Sequence, residues 1–171
     1  DETPSVVLEP IVDVAAGEDD AVPGPGEPGS VVGAPFLRVL ELPPLPGAED
    51  DGRALAVVAA EPWRTMQVFA GVNHDALTTR GEVRSSATVG VVVEALAPGQ
   101  PWRWDTVNDV VVRLEGRDPE SRPAGAVVAG ANALAVETEA GWEIVQYHSA
   151  TPEGDGVWRL TGLLRGQQGT E

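Results

Sequence analysis

The chain contains no cysteine and no lysine, and nowhere does it run apolar for 18 or more residues. Without cysteine, neither a disulfide framework nor a thiolate metal site can form. That absence does not fix a compartment, because many extracellular proteins also lack disulfides. Without a long apolar run no transmembrane helix is expected. No basic start leads into an apolar stretch, so no signal peptide is read, and the chain opens on Asp1 rather than methionine. It reads as processed, truncated or excised. All 11 basic residues are arginine, set against 27 acids, for a formal charge of −16. Such a surface repels nucleic acid and anionic membrane, so neither direct nucleic-acid binding nor membrane insertion is expected.

The acidity is concentrated at the front. Residues 1–52 carry 12 acids and one base, Arg38, a net of −11, whereas residues 53–171 balance 15 acids with 10 arginines, a net of −5. Residues 1–35 are also rich in Pro and Gly and poor in large apolar side chains, too little to offset chain entropy alone. They read as an extended acidic connector, with Val6-Val7-Leu8 and Ile11-Val12 able to add edge strands to a neighbour. Residues 36–171 read as one β-rich domain.

Within that domain, short β-type runs alternate with turn residues. Phe36–Leu42 forms a strand stopped by Pro43-Pro44. Leu55–Ala60 is continuously apolar and suits a strand buried on both faces. Thr65–Val72 places Met66, Val68 and Ala70 on one face. Glu82–Leu96 reads as a long strand broken near Gly90. In Asn108–Glu115, Val110, Val112 and Leu114 share one face, the mark of a half-buried strand. Pro123–Ala131 predicts a short helical turn. Leu134, Val136 and Thr138, the turn Glu139-Ala140-Gly141, then Trp142, Ile144 and Gln146 spell a hairpin. Glu153-Gly154-Asp155-Gly156 turns the chain again into a strand with Trp158 and Leu160 on one face. The fold class expected is all-β and mainly antiparallel, a sandwich or small barrel ending in a three-strand meander.

Candidate chemistry is sparse. His74 and Asp75 are sequence neighbours at a turn and point apart, so they make a poor acid–base pair. His148 ends a strand and reads as packed or solvated. Asp19-Asp20 and Asp50-Asp51 lack the apolar surroundings that raise a carboxylate pKa. Gly24-Pro25-Gly26 and Gly162–Gly169 lack the pattern of a phosphate loop. The expectation is therefore no catalytic, cofactor-binding or metal-binding residue, no cofactor and no enzyme activity. Trp142 and Trp158 fall in register with core positions. Trp102 and Trp104, alternating and co-facing, read as a lid on one end of the barrel, or else as a sugar platform or protein-contact hot spot.

At the C-terminal end, Leu163 and Leu164 are adjacent, so only one is expected to enter the domain's own core. Gly166 and Gly169 permit a sharp turn after Arg165, holding its planar fork where it can bind carbonyls or a carboxylate. Trp102, Trp104 and Arg165 are thus the candidate interface residues.

Pro101-Trp102-Arg103-Trp104-Asp105 with Val110–Leu114, Ala129-Gly130-Ala131-Asn132, and Leu160–Glu171 with its Leu-Leu-Arg-Gly-x-x-Gly-Thr-Glu ending occur in an order that resembles the multidomain baseplate ("megatron") proteins of gene transfer agents and siphophage tail tips. The resemblance covers roughly residues 36–171 and implies truncation at Glu171. It implies a structural module of a tail baseplate, assembled in the bacterial cytoplasm, extracellular after release, and serving tail assembly and envelope contact during DNA delivery. The implied partners are other baseplate and tail hub proteins, in an oligomer around the tail axis, with an envelope receptor or glycan as the outside contact. The family's hydrolase-like acids belong to a different domain, so no catalytic residue is carried over. Two alternatives accompany this reading: a carbohydrate- or receptor-binding module using Trp102 and Trp104, and an accessory domain of a hydrolase.

Overall fold

The computed structural model describes residues 5–10, 34–43, 54–139 and 141–170, with the backbone alone for Ser5–Pro10 and His74. Most of the expected connector (residues 11–33) and the loop at 44–53 lie outside the described residues. The chain forms two compact units, one made of Asp1–Arg38 and Ala56–Ala87, the other of Val39–Leu55 and Thr88–Glu171.

In the first unit, β4 (Met66–Gly71) is the centre of a three-stranded antiparallel sheet between β1 (Ser5–Pro10) and β5 (Thr78–Val83). Met66 and Val68 are buried and Ala70 half-buried, as the alternation predicts. β2 (Phe36–Leu40) and β3 (Leu55–Ala59) pair as a two-stranded ribbon. Of the apolar run in β3, Val58 alone is fully buried and Leu55 is exposed. The expectation of burial on both faces is corrected, because a two-stranded ribbon has too few neighbours to cover two faces. The expected Glu82–Leu96 strand is likewise two strands. β5 ends at Val83, and β6 (Val89–Val92) starts after Arg84–Thr88, where the Arg84 carbonyl accepts from Trp63 Nε1 at 3.1 Å.

The second unit is one antiparallel five-stranded sheet in the order β6-β7-β10-β9-β8, nearly closed and barrel-like, as the expected fold class requires. β7 spans Trp104–Glu115, β8 Ala133–Thr138, β9 Gly141–Gly154 and β10 Val157–Gln167. A five-residue helix α1 (Ala124–Val128) precedes β8, inside the predicted helical stretch. The core joins Val110, Val112, Val136, Val145, Tyr147, Leu160 and Leu163, with Trp158 packed against it. Val110 and Val112 are buried and Leu114 half-buried while Arg113 and Glu115 are exposed, the half-buried strand its alternation implies, with Val111 the one buried residue on the outer face. Arg159 stands opposite Val111 in register and bridges Asp109 and Glu153.

The meander forms as its turns dictate. In the β9–β10 turn, Asp155 and Gly156 both have positive φ (51° and 72°), the type I′ geometry that matches strand twist. β8 and β9 pair from Ala133↔Gln146 to Thr138↔Gly141. Leu163 lies opposite Tyr147 and Leu164 opposite Gln146, on alternate faces of β10. Both leucines are buried, 0% and 8% exposed. The expectation that one of them lacks cover is corrected. The second face is covered by the α1 segment, which receives the Gln146 amide on the carbonyls of Val127 and Ala131 at 2.6 and 2.7 Å.

Candidate functional site

One corner of the second unit gathers the residues singled out from sequence. Arg165 precedes Gly166, whose φ of 59° bends the chain, and a Cβ there would sit 2.7 Å from Pro101 Cβ. The bend aims the Arg165 fork back into the fold. Its Nε and Nη2 donate to the two carboxylate oxygens of Glu143 at 2.6 and 2.7 Å, and Nη1 donates to the Ala97 carbonyl at 2.8 Å. Gly166 N–H donates to the same carboxylate at 3.0 Å. Arg165 and Glu143 are both buried. Bidentate, charge-assisted pairing of this kind is what makes two buried charges tolerable.

The knot also holds the loop before β7. Pro101 bridges Arg165 in parallel, and Trp102 N–H donates to the Arg165 carbonyl at 3.2 Å. A Cβ on Gly99 would approach Arg165 Nη1 at 2.9 Å and Asp105 Oδ2 at 3.0 Å, so the loop lies directly over the guanidinium.

Next to it, β7 carries a bulge. Leu163 pairs with Asp105 while Thr161 pairs with Asp109, so the segment between is extruded. The Asp105 carboxylate closes the bulge. Its Oδ1 accepts from Val107 N–H at 3.0 Å and Asn108 N–H at 2.9 Å, and its Oδ2 from Asn108 Nδ2 at 2.7 Å. These bonds, led by the one from the Asn108 backbone and helped by the Arg165 charge, hold its pKa below the usual carboxylate value. Val107 sits at the tip, 90% exposed.

Trp102 and Trp104 flank this structure. Trp102 is 61% exposed and adopts a φ of 63° in a turn, ahead of the strand that begins at Trp104. Strand alternation therefore does not make the two indoles co-facing. Trp104 lies opposite Leu164, on the face away from Leu163, and meets His148 edge-on with ring centroids 6.4 Å apart. Trp104 is not among the residues packed against the core cluster. His148 Nδ1 is 2.7 Å from Ser149 Oγ, and the residue lies within β9 rather than at a strand end as expected.

The structure thus brings Trp102, Trp104 and Arg165 into one corner and adds Glu143, Asp105, Val107 and Arg103. Asp105-x-Val107-Asn108 carried a readable signal, a side-chain acceptor two and three residues before the amides it caps. Glu143 carried none, since it reads as one more hairpin acid. Among the described residues, no group of three His, Asp or Glu is placed to hold a metal ion.

This geometry defines a class: an antiparallel, barrel-like β domain with a buried ion pair beneath an exposed aromatic surface. Residues 87–171 match the model of a family described as Rcc01698-like, C-terminal. Rcc01698 is a gene-transfer-agent gene of Rhodobacter, so over this stretch the chain is similar to a gene-transfer-agent-related protein. No curated protein matches the chain.

Proposed function

We propose that this chain is a structural module of the tail baseplate of a gene-transfer-agent-like particle, acting by assembly and envelope contact rather than by catalysis. The observation that supports the reading is the coincidence of the match at residues 87–171 with the β6–β10 sheet and the knot that stiffens its exposed end. A stiff surface with exposed Trp and Val, and charges tied up beneath it, suits contact with another macromolecule. Its partners are other baseplate and hub proteins, arranged around the tail axis. The test is cross-linking mass spectrometry on purified particles from cells that carry the parent gene. Cross-links from this segment to tail-tip proteins are the expected result. Particles that lack the segment, or cross-links confined to the capsid, would overturn the reading.

A further inference from the structure

Beside the knot lies a shallow cleft of about 320 Å³, lined by Gln100, Arg103, Trp104, Asp105 and Asn108 among others. We propose that it binds an acidic carbohydrate, with one pyranose ring against Trp104 and its carboxylate at Arg103. This goes beyond the baseplate reading and holds or fails independently of it.

The size suits one or two sugar rings, at the lower end of small-molecule sites. Trp104 is 39% exposed, and its edge contact with His148 fixes the indole in place. An indole presents a negative π face, which attracts the polarised C–H groups of a pyranose. Gln100 and Asn108 supply amide groups for hydroxyls, a mixture of one aromatic wall and several polar atoms that fits a sugar better than an apolar peptide.

Charge picks out the class of sugar. Arg122, Arg159 and Arg165 of the same unit each face a carboxylate; Arg113 and Arg117 face none among the described residues, but they do not line the cleft. Arg103 does line it: its Nη1 donates to the neutral Gln100 Oε1 at 3.1 Å, and among the described residues it has no acidic partner. The one carboxylate lining the cleft, Asp105, is saturated by Val107 and Asn108 and faces the Arg165 charge. A guanidinium with no acidic partner and donors to spare, beside an exposed indole, therefore takes a carboxylate from outside. The overall acidity opposes this only weakly, because charges beyond about 8 Å are largely screened at physiological salt. The frame is preorganised by the Arg165–Glu143 pair and the Asp105 turn, so little ordering opposes binding.

The test titrates the whole 171-residue chain, labelled with nitrogen-15, with oligogalacturonate, oligoglucuronate and a sialylated oligosaccharide, following the indole N–H signals. The methyl ester of the galacturonate and a neutral maltooligosaccharide serve as controls. Saturable shifts of the Trp104 signal are expected for at least one acidic probe, with a Kd on the order of 1 mM. Esterification and Arg103→Gln should each weaken binding about tenfold, the size of one charge-assisted bond. Trp104→Ala should abolish it. Arg103 is exposed, so its variant keeps the test independent of folding. If no acidic probe shifts Trp104, the surface is a protein contact and the proposal falls. It falls equally if neutral and acidic probes bind alike and Arg103→Gln changes nothing.

Discussion

Arg165 shows how one side chain can organise a surface it does not itself reach. Its fork links Glu143 on β9 and Ala97 in the loop, while its carbonyl holds Trp102. Removing one member of such a pair leaves the other charge buried and unpaired. Arg165→Ala should therefore destabilise the unit by about 3–5 kcal/mol, read from urea denaturation. A double variant that makes both positions apolar, Arg165→Met with Glu143→Leu, should recover much of that loss. Equal loss in both would show that packing, not desolvated charge, is responsible. Asp105 makes a second prediction. Its depressed pKa means the bulge gains stability above the unfolded value and loses it as pH falls through the folded value, below about 3.8. Amide exchange at Val107 and Asn108 should accelerate there, once corrected for intrinsic rates, and stay flat in Asp105→Asn.

At the scale of elements, most strands could be read from their alternation, and their turns from residues such as Asp155-Gly156. The misreadings have one cause in common. Leu55 and Leu164 were judged from the local pattern of apolar residues, which reports which residues can share a face and not whether that face is covered. Coverage comes from residues far off in sequence: Gln146 bonds the α1 segment on one face. β6 offers a test of close strand approach. A Cβ on Gly90 would stand 2.2 Å from the Arg113 carbonyl oxygen, a backbone atom that cannot move aside cheaply. Gly90→Ala should peel β6 from β7, seen as lost exchange protection at the Val93 amide, which donates to Val111 at 2.7 Å. Retained protection there would mean that the strands tolerate a shifted register.

For the molecule as a whole, strand content and charge set the expectations. Far-UV circular dichroism should be strand-dominated, and a helix content near the globular average of about a third would contradict the architecture. With a formal charge of −16 and no lysine, the chain should leave a labelled DNA duplex unshifted at physiological salt. A retarded band that vanishes at high salt would reveal a basic surface that the residue balance does not suggest.

The sequence by itself determined the β class, the meander, the short helix before β8 and the acid excess, because all of these follow from local pattern and composition. It also marked Trp102, Trp104 and Arg165, through a motif ending and the freedom of Gly166. Only the tertiary structure decided what those residues do. Trp102 leaves the strand pattern because its backbone turns left-handed. Trp104 settles against His148, which lies 44 positions away by residue number. Arg165 finds its carboxylate across the sheet, at Glu143. A pair formed between strands depends on register and on where a bulge falls, and neither is encoded in the spacing of residues along one strand.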